Sequence, residues 1–233
     1  MICLVDSRGP GLGFVRQSLF QVATRTRLLP GPNAISKIDM SQSCGRHKFA
    51  SDNTAGICPE AWAALEKANT NDVPPYGEDQ WTARVCDRIR EIFETDCDVY
   101  FVLNGTAANA LALAQLCHSF ESVICHEHSH IHTDECGAPE FFTNGSKLLL
   151  IDGFNGKIGI GQAEVMIARQ NELHSPKPRA ISITQSTELG TIYALEEVAA
   201  ISGFARAREM LLHMDGARFA NAVAALNFSL RRD

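Results

Sequence analysis

Three short stretches of this sequence concentrate side chains that can do chemistry. The first is Asn104-Gly105-Thr106-Ala107-Ala108-Asn109. A glycine and a hydroxyl residue that open an apolar helical run offer free backbone N–H groups, which attract a phosphate. The same residues also describe an ordinary capped turn with Thr106 as the cap. The second is CHEHSHIHTDE, residues 125–135, where His126, His128, His130 and His132 alternate with other residues. In an extended strand all four rings face one side. Such a row can chelate a metal. It can also lend one flat imidazole to an aromatic cofactor, with Glu135 nearby as acid or base, or be a polar loop and nothing more. The third is His213-Met214-Asp215-Gly216-Ala217-Arg218-Phe219. A carboxylate buried at a strand end needs a cation, because an unpaired buried charge is costly. A protonated ring nitrogen of a cofactor meets that need, and so does an internal pair with Arg218. The fork of Arg218 equally suits a substrate carboxylate.

The surrounding elements must place these stretches. Pro59 and Glu60 suit the first turn of a helix in which Ala61, Leu65 and Ala68 recur. Residues 69–77 read as loop and 78–95 as a second helix. Trp81, Val85, Ile89, Ile92 and Phe93 line one face of it, and Asp87, Arg88, Arg90, Glu91 and Glu94 the other. The run VYFVL, 99–103, suits a buried strand, and 106–116 a helix apolar nearly all round. Strands follow at 122–125, Lys147–Ile151, 180–185 and 210–214. Between them lie a short helix or loop at 135–142 and helices at 161–172 and 194–208. This alternation predicts an α/β fold, a mainly parallel sheet with helices on both faces. Ligands of such sheets collect beyond the carboxyl ends of the strands, where all three stretches fall.

Composition narrows the class. The chain has 233 residues, 45% of them hydrophobic and 21% charged, enough for one good core. A net charge of −6 speaks against a general nucleic-acid or anionic-membrane binder. The apolar runs are too short to span a bilayer. Eight cysteines without a C-x-x-C pair read as buried, reduced thiols. Residues 7–38 carry Arg8, Arg16, Arg25, Arg27 and Lys37 and no acid. Residues 1–48 are accordingly expected to be a disordered arm of a cytoplasmic protein or, alternatively, an organelle-targeting segment.

A phosphate cradle, a stacking histidine and an aspartate for a pyridinium nitrogen together are the equipment for pyridoxal phosphate. The stretches FASDNTAGICPEAWAALEKAN, YGEDQWTAR, FETDCDVYFVLNGTAANALALA, SVICHEHSHIHTDECGAPEFFTNGSKLLL, LHSPKPRAISITQSTELGT and LHMDGARFANA carry a family resemblance in order. The chain resembles the low-specificity threonine aldolase branch of the fold-type-I pyridoxal-phosphate enzymes, a group also called β-eliminating lyases. The resemblance implies a cofactor-binding large domain over 49–233. Gly105 and Thr106 match the phosphate-cradling pair, His130 the ring-stacking histidine with His128 as runner-up, and Asp215 the partner of the ring nitrogen. Arg218 and Ser51 match contacts to the substrate carboxylate, and His174 a histidine near the β-hydroxyl. Tyr76 falls at the active-site rim and subunit contact. The implied reaction is retro-aldol cleavage of L-threonine or L-allo-threonine to glycine and acetaldehyde, with His130 or His174 as base, in a homodimer or homotetramer.

One departure is expected to matter. The family's Schiff-base lysine lies beyond the D-G-A-R motif, whereas the six lysines here, 37, 48, 67, 147, 157 and 177, all precede Asp215. The large domain is therefore expected to be incomplete, the C-terminal small domain absent and the 233-residue chain inactive. Two other readings stand beside this one: a non-catalytic fragment that keeps part of the fold, and a metal-dependent hydrolase built on the 126–132 histidines with Asp215.

Overall fold

The computed structural model of the chain describes residues 2–5, 18–20 and 55–227. The chain divides into two compact units, Met1–Ala23 with Val85–Asp233, and Thr24–Arg84. In the second unit, α1 (Pro59–Ala68) starts with proline in its first turn and glutamate behind it. Here too begins α2 (Gln80–Phe93), capped by Asp79, whose Oδ1 accepts the N–H groups of Trp81 at 2.8 Å and Thr82 at 2.9 Å.

The larger unit contains the sheet. Five strands lie in the order β2 (Ser18–Phe20), β7 (Leu211–Asp215), β6 (Lys177–Thr184), β4 (Glu121–His126) and β5 (Lys147–Ile151), every pair parallel. Helix α3 (Gly105–Leu116) leads into β4, and α6 (Ile160–Arg169) and α7 (Leu195–Arg206) make the crossovers from β5 to β6 and from β6 to β7. Alternate strand residues bury on opposite faces, as a pleated sheet requires. Ile124, Leu149, Ile151, Ile181 and Ile183 pack with Ala163 of α6 and Ile201, Phe204 and Ala205 of α7. Val123, Cys125 and Ala180 pack with Ala112, Leu113 and Leu116 of α3 and with Ile131. The helices on both faces are those the sequence predicts. Among the described residues no helix is long and apolar enough to cross a membrane.

Two expectations need correction. The run at 99–103 is not a buried member of the sheet. Its strand, β3 (Asp98–Phe101), pairs antiparallel with β1 (Ile2–Val5) in a separate ribbon, leaving Tyr100 54% and Phe101 48% exposed. Residues 2–5 and 18–20, within the first 48, form the strands β1 and β2. β1 finds the free edge of β3, and β2 extends the sheet beside β7; apolar runs satisfy their backbone groups wherever an open strand edge is offered. Cys97, Cys117 and Cys125 are buried, but Cys58 and Cys136 are exposed.

Candidate active site

The carboxyl ends of β4, β6 and β7 lie at one edge, marked by the pair Thr184 and Asp215 and by His126. Helix α3 crosses the adjoining face. Its cap is Asn104, whose side chain accepts the Ala107 N–H at 2.8 Å. Thr106 therefore stands inside the first turn and is not the cap the sequence suggested. Beside it Gly105 opens the helix. One turn further on, Asn109 is 1% exposed. Its Nδ2 donates to Glu135 Oε1 at 2.8 Å and to Asp215 Oδ2 at 2.9 Å, so one amide holds two buried carboxylates together.

Asp215 is 3% exposed, and its Oδ1 accepts the Ala217 N–H at 2.9 Å. Among the described residues no lysine or arginine pairs with it. Arg218 turns elsewhere, donating from Nε to the Ser186 carbonyl at 3.1 Å, with Nη2 3.8 Å from Glu188 Oε1. An internal Asp215–Arg218 pair is thus not what the loop builds. The carboxylate stays buried, hydrogen-bonded and short of a cation, as an acceptor for a protonated ring nitrogen should be. Below it on β7, His213 is 1% exposed, and its Nδ1 lies 2.8 Å from Ser182 Oγ. Burial pushes this imidazole down to about 4 against the opposing pull of Asp215, so it is neutral.

The histidine row does not stay extended. β4 ends at His126, the chain turns, and His130–Thr133 forms a single helical turn, α4. His126 latches the end of β5: its Nδ1 accepts the His128 N–H at 3.0 Å and its Nε2 lies 3.0 Å from the Gly153 carbonyl. His128 and His132 are exposed. His130 alone reaches the cluster, its Nδ1 donating to Glu135 Oε1 at 3.0 Å. The hydrogen bond to Glu135 raises its pKa above the ordinary value, against partial desolvation. Among the described residues no group of three or more His, Cys, Asp or Glu side chains comes together to hold a metal. Glu135 itself is fully enclosed, and its Oε2 has no hydrogen-bond partner. Left-handed Cys136 (φ 52°) and Gly137 (φ 74°) then turn the chain into α5 (Ala138–Phe142).

The third wall is the connection after β6. Gln185 clamps Tyr193 across it, donating to the Tyr193 carbonyl at 2.8 Å and accepting its N–H at 3.0 Å. The loop so closed carries Glu188, whose Oε1 accepts the His130 N–H at 2.9 Å. Connections after β4, β6 and β7 therefore meet at one carboxylate.

His130, Glu135 and Asp215 are brought together, with Gly105 and Thr106 on the helix that supplies Asn109 and Arg218 on the adjoining loop. His174 is not among them. His174 is exposed in the connection before β6. The eight residues of β6 separate it from the carboxyl edge, about 26 Å at roughly 3.3 Å per residue. Its place at the amino edge follows from the parallel strand order, which spacing to neighbouring motifs does not reveal. Tyr76 lies in the Thr24–Arg84 unit, 99% exposed with φ 63°. Ser51 lies outside the described residues. Two participants went unassigned at the sequence level. Asn109 had a signal, a polar residue inside an otherwise apolar helix; Glu188 had none.

The arrangement suits a planar cationic ring with an anionic tail. Asp215 faces the ring nitrogen's charge requirement, His130 offers a partly exposed flat face, and the start of α3 offers N–H groups. The chain matches the family model described as Beta-eliminating lyase over residues 48–232. It is 55% identical over 179 residues to the low specificity L-threonine aldolase of a Pseudomonas species, covering 77% of this chain and 52% of that protein. Against the enzyme of the same name from Pseudomonas aeruginosa the identity is 55% over 182 residues, covering 78% and 53%. Among solved structures, the threonine aldolase of Leishmania major is similar, with a TM-score of 0.70 and 30% identity over 73% of this chain and 50% of that one. The chain spans about half the length of these relatives.

Proposed function

The chain belongs to the beta-eliminating lyase family, and from that premise we propose that its carboxyl-edge cluster holds pyridoxal phosphate in a threonine-aldolase-like lyase. Its fold is that of the fold-type-I pyridoxal-phosphate enzymes. The observation that carries the proposal is the buried chain Asp215–Asn109–Glu135–His130, a carboxylate without a cation joined to a partly open imidazole. Asp215 holds the ring nitrogen, His130 the ring face, Gly105 and Thr106 the phosphate, and Arg218 the substrate carboxylate. When bound, pyridoxal phosphate supplies the electron sink for breaking the Cα–Cβ bond of a β-hydroxy amino acid such as L-threonine.

The protein's own residues supply position and proton transfer. Glu135 accepts from His130 Nδ1, which fixes the proton on that nitrogen and leaves Nε2 to take one from a β-hydroxyl. The raised pKa means that His130 acts as a base only above its shifted value. Asn109 donates to Asp215 and fixes the carboxylate that would face the ring nitrogen.

The described lysines of this unit serve other ends. Lys147 and Lys177 start β5 and β6 at the amino edge, and Lys157 Nζ is held by Glu197 Oε2 at 2.7 Å. With Lys147 and Lys177 at the amino edge and Lys157 paired, cofactor binding by the described residues of this unit is non-covalent and does not turn over L-threonine. Visible circular dichroism during a pyridoxal-phosphate titration tests the reading. A folded wild-type chain develops an induced cofactor band that Asp215→Ala abolishes. No band from a folded chain sinks the cofactor site; acetaldehyde release from L-threonine sinks the inactivity.

A further inference from the structure

Glu188 and Arg218 form an ion pair that does not close. Some exposed pairs on this protein come into full contact, Arg208 to Glu164 at 2.6 Å and Lys157 to Glu197 at 2.7 Å, while Arg179 and Glu121 stay 3.9 Å apart. Arg218 Nη2 and Glu188 Oε1 stand 3.8 Å apart. Each is held back by the main chain: Arg218 Nε by the Ser186 carbonyl at 3.1 Å, Glu188 Oε1 by the His130 N–H at 2.9 Å. Arg218 Nη2 consequently has no hydrogen-bond acceptor. The second oxygen of Glu188 takes no hydrogen bond among the described residues. Both side chains remain partly open, at 33% and 18% exposure. A buried cationic donor without an acceptor, on a side chain that is itself partly open, thus stands beside an unfilled anionic acceptor at the carboxyl edge.

An α-amino acid carries its carboxylate and its ammonium on one carbon, and matches such a receptor in charge. We propose that Glu188 determines specificity by taking the α-ammonium of an arriving amino acid while Arg218 takes its carboxylate. The inference rests on the cofactor-site reading and adds the form in which substrate is selected, the free zwitterion. A ligand with the carboxylate but no ammonium meets Arg218 and is repelled by Glu188, so the site rejects α-hydroxy acids by an unfavourable element as well as by a missing contact.

Glycine and glycolate, which differ in ammonium against hydroxyl, are the probes. Each is titrated into the 233-residue chain, and binding is read from the Arg218 Nε–H nuclear magnetic resonance signal. Glycine should bind about tenfold or more tighter than glycolate, the scale expected when a site built for a charged donor is offered an analogue without it. Glu188→Gln keeps an oxygen for the His130 N–H and removes only the charge; it should bring the two affinities close to equal, mainly by weakening glycine. Equal affinities in the wild type, or a preference that survives Glu188→Gln, overturn the inference. The pyridoxal-phosphate band on the same samples separates the failures. A band without discrimination overturns this inference alone, discrimination without a band overturns the cofactor reading alone, and loss of both overturns both.

Discussion

The two ends of the same strands handle charge in opposite ways. At the amino edge, Arg179 lies 3.9 Å from Glu121 and donates to the Glu209 carbonyl at 2.8 Å. Lys177 donates to the carbonyls of Gln170 and Glu172 at 2.7 and 2.8 Å. Arg179 is 41% exposed and the pair is long, and such pairs are worth little. At the carboxyl edge Asn109, Glu135, His213 and Asp215 are at most 3% exposed, and Asn109 Oδ1 and Glu135 Oε2 are buried without partners. Burying such atoms costs stability that the sheet has no structural reason to give up. A fold that treats one edge as surface and the other as a dry polar pocket locates its chemistry by that contrast.

The sharpest way to break the contrast is to remove the amide that serves both carboxylates. Asn109→Leu leaves Glu135 and Asp215 buried without their common donor. The expected loss is about 3 kcal/mol or more of unfolding free energy, the scale for taking one partner from a buried charged network. The cofactor band should disappear with it. Urea denaturation measures the first; a loss below about 0.5 kcal/mol, typical of a surface site, would remove the basis for treating the two edges differently.

The next effect is a pH dependence with two limbs. His213 is held near 4 by burial. The unfolded chain takes up its proton near the ordinary 6.5, so stability falls as pH drops from there toward 4. His130 is raised by its hydrogen bond to Glu135. Its contribution is complete below the ordinary value and is lost as pH rises through the shifted one. The two together place a stability maximum near the ordinary histidine value. Denaturation midpoints between about pH 4 and 8 should show the alkaline limb vanish in His130→Gln and the acid limb shrink in His213→Gln. An alkaline limb unchanged in His130→Gln would mean that the His130–Glu135 pair has no energetic role.

How far the two edges were legible in the sequence depends on what decides each feature. Local pattern decides Lys147–Ile151 and the apolar helix α3, and both stand where periodicity puts them. Motif order decides that Asp215 ends β7. Tertiary pairing decides β3: the run at 99–103 is apolar enough to be buried, but its partner is a strand from the start of the chain, in a ribbon apart from the sheet. Chain direction decides the histidines, because period-two alternation points four rings one way only while the strand continues, and β4 stops at His126. Glu188 is decided by contacts to residues 58 and 30 positions away, His130 and Arg218, which no local pattern encodes.

The smallest predicted effect falls at the amino edge and tests the comparison from its quiet side. His174 is exposed before β6, at the opposite end of that strand from Thr184 and Asp215. Its ring makes no hydrogen bond to any described residue, and Arg179 nearby is half in solvent. His174→Ala and Arg179→Ala should each change unfolding free energy by no more than about 0.5 kcal/mol. Neither should alter the pyridoxal-phosphate band or the glycine-to-glycolate ratio of the 233-residue chain. A band lost in His174→Ala but kept in Arg179→Ala would show that the amino edge reaches the chemistry after all, through contacts that a single sheet does not provide. Unchanged signals in both would confine the cofactor's contacts in this chain to the end where carboxylates are buried.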